Sequence, residues 1–99
     1  LTGKRIYEIL MVEILNEKYG NPKSIILFGS FRRGEDISTS DIDIAIETYE
    51  EEYRIIEIND KIMGRNIQLH LFNRKNVDIN VFNNIANGIV LAGFFGVEK

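Results

Sequence analysis

The chain has 99 residues, 44% of them hydrophobic and 27% charged, which fits one globular domain and excludes a disordered or fibrous chain. Its net charge of -3 offers no basic face to a phosphate backbone, so sequence-independent nucleic-acid binding is not expected. The absence of cysteine excludes disulfides and thiolate metal sites and fits a reducing cytoplasm, and the longest apolar run, 88–97, is about half the ~20 residues of a membrane-spanning helix.

Residues 4–19 carry Ile6, Leu10 and Ile14 at i, i+4 and i+8, with Arg5, Glu8, Asn16 and Glu17 between them. That period predicts an amphipathic helix, stopped by Gly20 and punctuated by Pro22. Ser24 to Phe28 is a short apolar run ending at Gly29, which predicts a buried strand, and a short helix is expected after it. Ser40 to Glu47 alternates, with Ile42, Ile44 and Ile46 opposed to Asp41, Asp43 and Ala45, the pattern of a half-buried strand. Thr48 and Glu51 form a capping box ahead of Tyr53, Ile55, Ile56, Ile58 and Ile62, with Gly64 as a stop, so a helix is expected there. Ile67 to Phe72 alternates again and predicts a strand. A last helix is expected over 77–87, with Val81, Phe82 and Ile85 inward and Asp78 capping its start, followed by an edge strand at Ile89 to Ala92. Phe94 and Phe95 beyond it suit either a core lid or an interface patch. The string describes a single α/β (α+β) domain over residues 1–99, a small mixed β-sheet with helices packed on it.

Chemistry concentrates between Gly29 and Asp43. Gly29 and Ser30 follow a buried strand at the point where a helix should begin, so backbone N–H groups and a hydroxyl can face an anion there. Arg32 and Arg33, just beyond, carry guanidinium groups suited to phosphate. Asp41 and Asp43 sit two apart on one strand and share a face, about 6.5–7 Å apart. At an effective dielectric near 20 two such carboxylates repel by about 2–3 kcal/mol. A divalent cation removes that repulsion, and hard oxygen donors suit Mg²⁺.

The pattern of Gly29, Ser30, Arg33 and Gly34, then five residues, then Ser40, Asp41, Ile42 and Asp43, resembles the signature of the polymerase-β-like nucleotidyltransferase superfamily. Within it the chain is most similar to the small stand-alone minimal nucleotidyltransferases, and the ending Asn87 to Gly93 also fits. The resemblance implies the polymerase-β-like nucleotidyltransferase fold. It implies that Gly29 and Ser30 bind the triphosphate of a nucleotide, with Arg33 and Ser40 of the same motif beside them. Asp41 and Asp43 match the two metal-binding aspartates, with two Mg²⁺ ions expected when nucleotide is bound. The implied reaction is attack of an acceptor hydroxyl on the α-phosphorus of a nucleoside triphosphate, most simply ATP. The implied partner is a HEPN-type helical toxin whose tyrosine hydroxyl accepts AMP, making this chain the antitoxin; a second copy of the chain could also complete the acceptor site.

One position departs from the family. Active members usually carry a third carboxylate on a neighbouring strand, and here Gln68 stands at that position. A glutamine can ligate a metal weakly but cannot act as a base. His70 shares its face and is the only histidine. It is either a base or replacement ligand, or a partly buried residue bonded to backbone. The enzyme reading therefore stands beside two others: a binding module that has lost turnover with the third acid, and a structural subunit that uses neither metal nor nucleotide. The repelling aspartate pair argues against the last.

Overall fold

In the computed structural model the structure describes residues 3–29, 42–49, 52–60 and 65–96. Helix α1 spans Gly3–Tyr19 and is followed by strands β1 (Ser24–Phe28), β2 (Ile42–Glu47), β3 (Arg54–Asp60) and β4 (Arg65–Phe72), helix α2 (Ile79–Ala86) and strand β5 (Ile89–Gly93). The strands form one mixed sheet in the order β3-β4-β2-β1-β5. Strand β2 runs parallel to β4, and every other pairing is antiparallel. The expected α+β architecture is therefore the observed one, with helices on both faces of a small mixed sheet.

The period-two pattern sorts the strand residues into two layers. Ile25, Leu27, Ile42, Ile44, Ile46, Ile67, Leu69 and Leu71 point to one face, where Leu15 of α1 joins them. Ile26, Phe28, Ala45 and Phe72 point to the other and are covered by Val77, Phe82 and Ile85. The second helix forms as expected. Asp78 caps it by accepting a hydrogen bond from the Asn80 N–H at 2.8 Å, and Asn80, Asn83 and Asn84 face outward. The first helix ends as its sequence predicts. Gly20 takes φ +66° and the Asn21 N–H reaches back to the Asn16 carbonyl at 2.9 Å, the closure of a Schellman turn.

Two sequence expectations are corrected. The segment after Thr48 is a strand, not a helix: β3 pairs with β4 over its whole length, Ile56 and Ile58 leaning on the inner core while Ile55 and Glu57 lie on the opposite face. Three isoleucines in four residues favour a pleated backbone, because β-branched side chains crowd a helical turn and fit a strand. The exposed edge of β4 offered seven paired positions that no isolated helix could match. The buried row of α1 is also rotated by one residue from expectation. Leu15 is buried and Met11 and Tyr19 pack beside it, whereas Leu10 and Ile14 are 53% and 58% exposed. Met11, Leu15 and Tyr19 have the same i, i+4, i+8 spacing, so the two rows are alike in period and differ only in which one meets the sheet. The short helix expected after Gly29 lies outside the described residues.

Phe95 and Gly96 are fastened at the far end of β2. The buried carboxylate of Glu47 accepts hydrogen bonds from Ser24 Oγ (3.0 Å) and Arg74 Nε (2.9 Å), and Arg74 Nη1 donates to the Gly96 carbonyl (3.2 Å). The same guanidinium lies over the Phe95 ring, 4.9 Å from its centroid. Phe95 in turn packs on Phe82 and Phe72, so it is the core lid, while Phe94 is exposed.

Candidate active site

Strand β1 delivers the chain to Gly29 at the edge of the α2 face. Gly29 takes φ +76°, a conformation that side-chain-bearing residues avoid. A Cβ built there would meet the Asp43 Oδ2 at 2.5 Å. Glycine is thus required twice, for the turn and for the close approach of backbone to carboxylate. Ser30, Arg33, Ser40 and Asp41 lie outside the described residues.

Asp43 lies on β2, between Phe28 of β1 and Gln68 of β4 in register. Its side chain is 26% exposed, so the carboxylate is open on one side. Its two oxygens have different surroundings. Oδ2 faces the Gly29 corner, and Oδ1 lies 3.1 Å from His70 Nε2. A carboxylate only accepts, so Nε2 carries the proton and donates it. The remaining ring nitrogen, Nδ1, is in hydrogen-bond contact with the Tyr53 hydroxyl. In the neutral imidazole that nitrogen is an acceptor, so the phenol donates. The result is a directed chain: Tyr53 O–H to His70 Nδ1, His70 Nε2–H to Asp43 Oδ1.

His70 is buried, and both of its ring nitrogens face side chains rather than backbone. Its ring also meets Phe28 edge-on, with centroids 4.8 Å apart. These two residues come from strands that flank β2 and meet diagonally across it, Phe28 standing opposite Asp43 and His70 opposite Ala45, whose side chain is a single methyl. Burial pushes the Tyr53 hydroxyl above the ordinary tyrosine range, and the Asp43 charge adds to the shift. The phenol therefore stays a neutral donor.

Gln68 shares this face and pairs in register with Asp43 on one side and Glu57 on the other. Sequence reasoning missed Tyr53 and Glu57 as members of the face because it placed both on a helix. The signal was present: Tyr53, Ile55 and Glu57 alternate with Arg54, Ile56 and Ile58. A hollow of about 410 Å³, lined by Tyr19, Pro22, Glu47 and Tyr49 among others, sits at the other end of β2 and shares nothing with Asp43.

An open carboxylate oxygen beside a glycine corner is what a triphosphate with its cation needs, and a sequence comparison bears on it directly. Residues 9–91 match the nucleotidyltransferase domain family. The chain belongs to that family. Three relatives from Methanocaldococcus jannaschii, each described as a putative protein adenylyltransferase, resemble this member. One is 44% identical over 77 residues, covering 69% of this chain and 76% of its own length. Another is 39% identical over 66 residues, covering 64% and 76%. A third is 58% identical over 51 residues, about half of each chain. This nucleotidyltransferase is thus a transferase of a family that generally uses divalent metals. Among the described residues no helix is long and apolar enough to cross a membrane.

The residues present fit a divalent cation in part. Asp43 could supply a hard oxygen, its other oxygen being held by the hydrogen bond from His70, as in carboxylates that ligate metals. Among the described residues no group of three or more histidine, cysteine, aspartate or glutamate side chains could hold a metal ion. Asp41, the other candidate ligand, lies outside those residues.

Proposed function

We propose that this nucleotidyltransferase moves AMP from ATP to a hydroxyl of an acceptor, with Asp41 and Asp43 holding Mg²⁺. The observation that supports it most is the contact of the Gly29 corner with the Asp43 carboxylate, which joins an anion-binding turn to a cation-binding side chain. Gly29 and Ser30 take the β- and γ-phosphates, with Arg33 and Ser40 beside them. When bound, the divalent cation neutralises phosphate charge and orients the attacking and leaving oxygens. The acceptor hydroxyl oxygen attacks the α-phosphorus and releases its proton, the bond to the β-phosphate breaks, and pyrophosphate leaves. The chain contributes position and charge rather than a covalent intermediate.

The relatives' description as protein adenylyltransferases supports a protein hydroxyl as acceptor. We take a tyrosine of a HEPN-type helical partner as that acceptor, with this chain as the antitoxin acting in the cytoplasm. Gln68, standing where a third acid is expected, favours a second reading in which nucleotide is bound without turnover.

Calorimetric titration with ATP, with and without Mg²⁺, tests the site. Binding should need the cation and disappear when Asp41→Asn and Asp43→Asn are combined; unchanged affinity in that variant removes the site. Labelled ATP incubated with the protein and a HEPN-type partner then separates the two readings. Label on a partner tyrosine with pyrophosphate release supports transfer, whereas binding with neither leaves the module.

A further inference from the structure

The Asp43 carboxylate has one oxygen turned to the Gly29 corner and the other tied to His70, and the ring of His70 is tied in turn to Tyr53. Tyr53 stands just ahead of β3, His70 on β4, Asp43 on β2 and Gly29 just after β1, so the row crosses the sheet from one edge strand inward in spatial order. A histidine held only by Asp43 could rotate about its side-chain torsions and swing the carboxylate with it. A second bond on the opposite ring nitrogen fixes both the ring plane and the tautomer. Because Nε2–H donates to the Asp43 carboxylate, Nδ1 of the neutral ring is the acceptor, and the protonated phenol can donate to it and support that tautomer.

We propose that Tyr53 is a positioning residue, whose hydroxyl locks His70 so that Nε2–H aims Asp43 at the cation and triphosphate. It acts through two side chains and touches neither substrate nor metal. The inference rests on the metal-dependent transferase reading above. Outer groups that orient metal ligands commonly matter by about 10–100-fold in affinity or activity. The phenol hydroxyl should therefore be worth about tenfold in cation affinity.

The test uses Tyr53→Phe, which keeps the ring and removes only the hydroxyl. The chain has one histidine, so long-range ¹H–¹⁵N spectra report His70 without assignment ambiguity. In the metal-free wild type Nε2 should carry the proton and Nδ1 should show the shift of a hydrogen-bonded acceptor. In Tyr53→Phe the Nδ1 signal should move to that of an unbonded acceptor. Mn²⁺ titrated with ATP present, followed by loss of the free-ion electron paramagnetic resonance signal, should bind about tenfold more weakly. In a His70→Ala background the same Tyr53→Phe change should add nothing, because the two residues act in series.

Unchanged Nδ1 signal or unchanged Mn²⁺ affinity in Tyr53→Phe overturns the inference while leaving the transferase reading intact. So does a fall in transfer rate at unchanged Mn²⁺ affinity, which would make Tyr53 part of the proton path. AMP found on Tyr53 itself would make it an acceptor and overturn the positioning role as well. A wild type that binds no cation in the presence of ATP ends both the inference and the reading beneath it.

Discussion

At Gly29 two independent constraints meet in one residue: a positive φ and a carboxylate oxygen where a side chain would begin. Gly29→Ala should cost about 1–3 kcal/mol from backbone strain alone. It should also push Asp43 off His70, so affinity for ATP with Mg²⁺ should fall by more than the stability loss explains. Parallel melts and nucleotide titrations check this; equal affinity in a folded variant would show that the corner is not the phosphate site. Tyr53 makes a separate prediction. Its proton is held by burial first and by Asp43 second, so its pKa is raised in the folded protein. The stability from that shift is fully present below the ordinary value of about 10 and is lost as pH rises through the higher folded value. In an alkaline titration followed by phenolate absorbance, the component removed by Tyr53→Phe should ionise later than an exposed tyrosine. Ionisation at the ordinary pH or earlier would contradict the burial.

The first helix and third strand were the elements whose packing the pattern misassigned, and both cases have one cause. A run of branched or apolar residues states that a face exists but not which neighbour will cover it. For α1 two overlapping rows, Leu10–Ile14 and Met11–Leu15–Tyr19, have equal spacing, and contact with the sheet selects the second. Leu15→Ala should therefore destabilise by about 2–5 kcal/mol, as buried leucine truncations do. Ile14→Ala, on an exposed position, should change stability by no more than about 0.5 kcal/mol. Urea unfolding of the pair decides it, and similar losses in both would mean that α1 is docked on a different row. For β3 the capping-box signal at Thr48 and Glu51 is local, whereas the pairing with β4 is seven residues long and cooperative. Long-range pairing prevailed over the local signal.

Across the whole molecule Arg74 closes the structure at the end of β2 farthest from Gly29. It ties Glu47 of a central strand to the Gly96 carbonyl and to the Phe95 ring, which lies against α2. Removing it leaves a carboxylate that is only 5% exposed in its side chain with one hydroxyl partner, Ser24. Arg74→Ala should cost about 3 kcal/mol, the lower end for a buried charge that loses its partner. Arg74→Lys should recover only part, since an ammonium cannot span Glu47 and the Gly96 carbonyl while stacking on a ring. Denaturant midpoints measure both. A loss below about 1 kcal/mol in Arg74→Ala would show that the C-terminal segment docks through Phe95 alone.

By itself the sequence determined what is local and periodic. The faces of β1, β2, β4 and α2, the caps at Gly20 and Asp78, and the Gly29–Asp43 motif follow from residue spacing and backbone chemistry, because those depend on neighbours a few positions away. Only the tertiary structure decided which row of α1 is buried, that β3 is a strand, and that Tyr53 and His70 line up behind Asp43. Those outcomes depend on which strands pair and in which register. Residues 17 positions apart, such as Tyr53 and His70, meet only once the sheet has formed.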